Sequence, residues 1–256
     1  MSTFLFHNTV FGPIFSRRLG ISLGINLLPS NVKYCNFSCI YCECGWSQKI
    51  KNIQLPKRNF VYSELKKRLC ELKEKNKPLH SITFAGNGEP TIHPEFAKII
   101  DDVIELRNEY YPQALVSVLS NATMLKKKEV CEALKKTDKP IMKLDAGDTA
   151  TFHKINQPLS KIPVEKIVDN LKCFEGNFIM QSLFVRGYYK NEYIDNSNPE
   201  AIEKWLEKVK ILQPQEVMIY TIARDTPVET LEKVPQERLQ EIGKLVEQLG
   251  IKTLVV

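Results

Sequence analysis

Lys33-Tyr34-Cys35-Asn36-Phe37-Ser38-Cys39-Ile40-Tyr41-Cys42 carries three cysteines within eight residues, and the rest of the chain is read outward from it. A loop this short must wrap a compact object, and three converging thiolates suit three corners of one [4Fe–4S] cube. Full cysteine ligation of such a cluster takes four thiolates, so a triplet leaves one iron open to another ligand. A zinc knuckle and a buried apolar trio compete with that reading. Zinc usually takes two ligand pairs or a Cys/His mixture; no second pair follows, and the four histidines are scattered. Cys44 as a fourth iron ligand would close the open position, so it is left out of the set. Cys70, Cys131 and Cys173 fall in helical stretches and read as core thiols.

The 256 residues suffice for one sizeable core, and the expectation is a single domain over 1–256 with the cluster loop at 30–46. Seven cysteines, odd in number and mostly far apart, argue against a disulfide framework. With an iron–sulfur motif they imply a reducing compartment, hence a cytoplasmic chain. Met1-Ser2-Thr3-Phe4-Leu5-Phe6-His7-Asn8 lacks the pattern of a signal peptide, and no stretch approaches the ~20 apolar residues that span a bilayer. A net charge of +6 permits a nucleic-acid partner without demanding one, because the basic residues are interleaved with Asp and Glu.

Apolar runs alternate with amphipathic segments. Strands are expected at 21–28, 81–84, 114–119, 140–144, 178–185 and 216–222, with a short one at 251–256. Helices are expected at 63–76, from Pro94 to about Asn108, and at 126–136, 163–174, 200–212 and 236–249. This order predicts βα units on a parallel sheet. About six right-handed crossovers curl such a sheet into a partial (β/α) barrel. In α/β barrels the chemistry sits on loops at the C-terminal ends of the strands, and the remaining motifs fall there. Gly86-Asn87-Gly88-Glu89-Pro90 follows the second strand, where glycines permit close backbone approach to a ligand; a plain turn before a helix is the alternative. Ser120, Asn121 and Thr123 follow the third, with donors and acceptors suited to a carboxylate or ribose, or to helix capping. Lys143 and Asp145 end the fourth on one side of the strand, as ligand-binding charges or a structural ion pair. Gln181, Arg186, Tyr220 and Arg224 are inward or rim candidates on the last two strands. His93 reads as a helix-start residue.

The cysteine run resembles the signature of the radical S-adenosylmethionine (SAM) superfamily, and Gly86–Glu89 resembles that family's "GGE" segment with Asn87 between the glycines. The resemblance implies a (β/α)6 partial TIM-type barrel and a cluster on Cys35, Cys39 and Cys42 whose open iron chelates the amino and carboxylate groups of SAM. It implies that the reduced cluster cleaves SAM to a 5′-deoxyadenosyl radical, which abstracts hydrogen from a substrate. Electrons would come from a donor such as flavodoxin or ferredoxin. Tyr41 would cover the cluster, Gly86, Asn87, Gly88 and Glu89 would hold the SAM amino group, and Ser120, Asn121, Lys143, Asp145, Gln181 and Tyr220 would complete its site. With Gly12-Pro13-Ile14-Phe15-Ser16-Arg17-Arg18-Leu19-Gly20 the likeness extends to wyosine-synthase-related proteins. Wyosine synthases carry additional cysteines upstream of the triplet, whereas no cysteine precedes Cys35. The reading is therefore a single-cluster enzyme acting on an RNA base or small metabolite. An activase of a glycyl-radical enzyme and a non-enzymatic electron carrier are the alternatives. Arg17 and Arg18, which those motifs do not explain, are candidates with Arg186 and Arg224 for gripping an anionic substrate, at most one of the adjacent pair facing inward.

Overall fold

The computed structural model describes residues 4–48 and 52–256; Met1, Ser2 and Thr3, part of the segment read for a leader, lie outside them. One sheet carries the chain in the order β1-β2-β3-β4-β5-β6-β8-β10. Its parallel members are β2 (Gly20–Ile25), β3 (Ser81–Phe84), β4 (Leu115–Ser120), β5 (Lys139–Lys143), β6 (Ile179–Tyr189), β8 (Glu216–Thr221) and β10 (Lys252–Val255). The crossovers are α1 (Arg58–Glu74), α2 (Phe96–Tyr110), α3 (Lys128–Lys135), the pair α4 (Thr149–Asn156) and α5 (Val164–Leu171), α6 (Pro199–Leu212) and α7 (Gln236–Glu247). Six βα units followed by β10 form the expected partial barrel. The strand path ends at β1 and β10, which do not pair with each other. Strands such as Ser81–Phe84 are buried along their whole length, as a parallel sheet covered on both faces requires. Helix α2 buries Phe96, Ile99, Ile100 and Val103, the face its periodicity predicts.

The sequence reading missed four elements. β1 (Val10–Ser16) pairs antiparallel with β2 and makes the sheet edge a hairpin. Arg17 and Arg18 therefore lie on the turn of that hairpin, just before β2; Ser16 Oγ accepts from the Arg18 and Leu19 amides, and Gly20 takes φ +69° to close it. β6 runs on past Val185, pairing with β7 (Glu192–Asp195) through Lys190 and Asn191, both at positive φ, and with β9 (Leu231–Lys233). Helix α4 is capped by Asp148, whose carboxylate accepts from the Thr151 amide at 2.9 Å. Cys131 and Cys173, read as separate core thiols, are joined as a disulfide. Among the described residues no helix is long and apolar enough to cross a membrane.

Candidate active site around the cysteine loop

The register of the parallel strands brings their C-terminal ends to one side: Ile25 pairs with Phe84, Phe84 with Val118, Ser120 with Met142, and Lys143 with Gln181. The cysteine loop lies over those ends, pinned on two flanks. On one, the Tyr34 amide donates to Asn87 O at 2.7 Å and the Glu89 amide to Tyr34 O at 3.2 Å. On the other, Ser38 and Ile40 amides donate to the Asn156 and Ile155 carbonyls at the end of α4. Cys35, Cys39 and Cys42 then line one wall of a cavity of about 300 Å³ whose other walls include Gly88, Glu89, Asn121, Lys143 and Tyr220.

Electrostatics at this wall fit an anionic thiolate-held group. Lys33 is buried, and its Nζ donates to Gly45 O at 2.9 Å. Burial works against its charge, yet the sulfurs of Cys42, Cys39 and Cys35 outweigh this and raise its pKa. Hydrogen bonding from the Cys44 thiol pulls Cys42 down, to about 5, with Lys33 assisting, whereas burial pushes Cys35 and Cys39 up. A buried ammonium facing three thiols is costly unless those thiols carry negative charge. Among the described residues no three Cys, His, Asp or Glu side chains gather tightly enough to share one metal ion.

Asp145, Lys143 and Tyr41 form one buried network behind the thiols. Tyr41 Oη donates to Asp145, Lys143 Nζ donates to Tyr41 Oη at 2.7 Å, and Lys143 stands 3.4 Å from Asp145 Oδ2. The Leu183 amide donates to Asp145 Oδ1 at 3.0 Å. Burial opposes the Lys143 charge, but Asp145, Tyr220 and Cys39 together outweigh it and raise its pKa. Asn156, which the sequence reading missed with α4, completes the network: its Nδ2 donates to Asp145 at 2.6 Å and stands 3.5 Å from Cys39 Sγ. The Asp148 cap was the signal that would have revealed this helix. Tyr41, read only as a cover, is thus a hydrogen-bonded member of the wall.

The loop after β3 is likewise tied down. Buried Glu89 accepts from the Thr91 amide and hydroxyl, from Ser120 Oγ at 2.9 Å and from the Asn121 amide at 2.7 Å. Burial pushes its carboxyl up, and these donors pull it part of the way back. Asn121 Nδ2 donates to Asn36 at 2.6 Å, while its Oδ1 accepts from Thr123. Gly86 and Gly88 sit at φ +147° and +141°. A Cβ at Gly88 would lie 1.9 Å from Tyr34 O, and one at Gly86 2.5 Å from Asn26 Oδ1. Both glycines therefore serve a close approach between protein segments.

Several candidates sit elsewhere. Asn87 is fully buried and turned away from the cavity: its side chain accepts from the Phe6 amide and donates to Phe6 O and Pro29 O. Arg186 pairs with Glu232 at 3.2 Å beyond the barrel end and lines neither the thiol cavity nor the cavity beside it. Arg224 pairs with Glu43 at 2.7 Å, at the rim of that neighbouring cavity. Gln181 and Tyr220 do line the thiol cavity. His93 is a structural histidine, its Nδ1 accepting from the Glu95 amide at 3.1 Å and its Nε2 meeting Pro56 O at 2.9 Å.

Comparison with known proteins agrees with this geometry. The family model of the Radical SAM superfamily matches residues 32–185, more than half of the chain. A Helicobacter pylori (strain J99) UPF0026 protein is 31% identical over 78% of this chain and 62% of its own length. A Brachyspira hyodysenteriae protein named GTPase Obg is 30% identical over 93% of this chain, which spans only 33% of it. A radical SAM methyltransferase from Sphaerobacter thermophilus superposes with a TM-score of 0.68 at 12% identity, over 92% of this chain and 65% of that one. Archaeal TYW1 superposes with a TM-score of 0.55 at 16% identity, over 89% and 71%. A triplet cysteine loop set over the strand ends of an unclosed barrel, matched by the family model across both, makes this chain a member of the Radical SAM superfamily.

Proposed function

We propose that the chain is a single-cluster radical SAM enzyme, with Cys35, Cys39 and Cys42 holding a [4Fe–4S] cluster and SAM occupying the adjoining cavity. The observation that carries this reading is the thiol wall itself: three cysteines, with Lys33 buried behind them, open onto about 300 Å³ of space bounded by strand-end loops. When bound and reduced, the cluster would supply the electron that cleaves SAM, giving the hydrogen-abstracting 5′-deoxyadenosyl radical. The chain's own residues orient the ligand. Asp145 and Tyr41 hold Lys143 so that its ammonium keeps a fixed place at the wall, and Glu89 fixes the Ser120–Asn121 segment beside it. Gln181 and Tyr220 offer further polar atoms from the lining. An electron carrier has no use for such a chamber beside its thiols. Reduction calls for a low-potential donor such as flavodoxin or ferredoxin, and a cytoplasmic setting would keep the triplet reduced. Anaerobic reconstitution tests the reading: about four irons per chain are expected, with 5′-deoxyadenosine and methionine released by dithionite and SAM. Iron uptake without SAM binding would favour the electron carrier.

A further inference from the structure

A second cavity, of about 390 Å³, runs along the unpaired edge of the sheet, between the β1–β2 hairpin and the β8 and β10 strand ends. It shares Arg18, Tyr41, Gly86, Leu183 and Tyr220 with the thiol cavity, so the two are continuous. Phe4, Phe6, Phe11, Phe15, Tyr41 and Tyr220 give part of its wall an aromatic surface. Phe6 and Phe11 stack at 3.7 Å and 21°, and Gly24 leaves the room that the Phe11 ring fills, since a Cβ there would lie 2.1 Å from that ring. The charged residues lining it are Arg17, Arg18, Arg224 and Glu43. Arg224 is spent on Glu43, and Arg17 is exposed on the turn.

Arg18 differs from both. Its guanidinium stacks over the Tyr220 ring at 4.8 Å, and its Nη1 is buried with no hydrogen-bond partner. Only one other buried side-chain atom among the described residues lacks a partner, Asn156 Oδ1. A buried guanidinium N–H left unmade is costly, and its planar fork matches an oxyanion. Stacking on Tyr220 fixes the plane of that fork.

We infer that Arg18 anchors the substrate by its own anionic group, and that the substrate is a small organic anion with a flat apolar body. Its carboxylate or phosphate would meet Arg18 where the two cavities join, and its body would lie against Phe6 and Phe11. The inference rests on the radical SAM reading for what happens to the bound molecule, but the anchoring itself is measured without turnover.

The test uses anaerobically reconstituted, unreduced protein and ligand-observed NMR titration. The probes are phenylacetate and phenyl phosphate, with phenylacetamide as the uncharged control and acetate and inorganic phosphate as controls lacking a flat body. At least one charged aromatic probe should bind about tenfold more tightly than phenylacetamide, the size of one charge-assisted hydrogen bond. Whichever of the two binds more tightly identifies the oxyanion as carboxylate or phosphate. Arg18→Gln should erase that preference, and Arg18→Lys should keep part of it, with the iron content of each variant reporting the fold. Should Arg18→Gln fail to take up iron, the wild-type charge preference and Arg18→Lys still decide. Equal binding of phenylacetamide, or an unchanged preference in Arg18→Gln, overturns the anchor. So does displacement of the probe by saturating SAM, which would assign Arg18 to the SAM carboxylate. Release of 5′-deoxyadenosine by dithionite is read separately: its failure with anion binding intact removes the radical SAM chemistry and leaves the anchor.

Discussion

The carboxylates around the thiols and the guanidinium where the two cavities join are treated in opposite ways. Around the thiols, Glu89 takes four donors and Asp145 takes Tyr41, Lys143, Asn156 and the Leu183 amide, so the carboxylates are consumed within the protein. Beside them, Arg18 keeps a buried N–H without a partner. A satisfied network holds a loop in place; a strong donor left open at a cavity wall is poised for something that arrives. Much of what the motifs offer as ligand contacts is therefore framework, and the ligand-directed groups are fewer than the motif residues.

The largest effects should come from the wall itself. Cys39→Ala should take up essentially no cluster iron, whereas Cys44→Ala should retain it; equal loss in both would end the three-ligand model. Gly88→Ala comes next, and it separates framework from ligand contact. Its Cβ has no room beside Tyr34 O and its φ of +141° suits only glycine. Overpacking and backbone strain together should cost about 4 kcal/mol in denaturant unfolding, and the shifted cysteine loop should lower iron content. If instead Gly88→Ala folds normally, keeps its iron and loses only SAM affinity, that glycine serves the ligand.

How much of this was legible follows from which interactions are local. The triplet, the strand-end loops and the βα order are short-range patterns, and they led to the barrel and to one wall of the site. Asn87 misled because its neighbours Gly86, Gly88 and Glu89 do border the cavity, while its own partners, Phe6 and Pro29, lie 81 and 58 residues away. Asn156 went unseen because α4 is a short helix of mixed composition, Thr-Ala-Thr-Phe-His-Lys-Ile-Asn, without a clear apolar stripe. Arg17 and Arg18 fall before the first expected strand, and the hairpin turn that holds both was not legible, because pairing between β1 and β2 cannot be read from residue type in a run containing Gly12 and Pro13.

The smallest effects test the same contrast between buried and open charge. Asp145 has a fully buried side chain, and Lys143 is only 20% exposed. Asp145→Asn turns an amide toward three donors and leaves the lysine uncompensated, so unfolding free energy should fall by about 3 kcal/mol, the low end for a broken buried pair. Arg224 and Glu43 form an equally direct contact at 2.7 Å, but their side chains are 65% and 36% exposed. Water and salt screen that pair, and two long side chains lose rotamer freedom to form it. Arg224→Gln should therefore shift unfolding by about 0.5 kcal/mol or less, and raising the salt concentration should shrink even that. A double-mutant cycle with Glu43→Gln checks it. A coupling as large as the Asp145 effect would mean that the rim pair is a desolvated clasp, and the lateral cavity would then be closed by protein in the free state rather than open to an incoming anion.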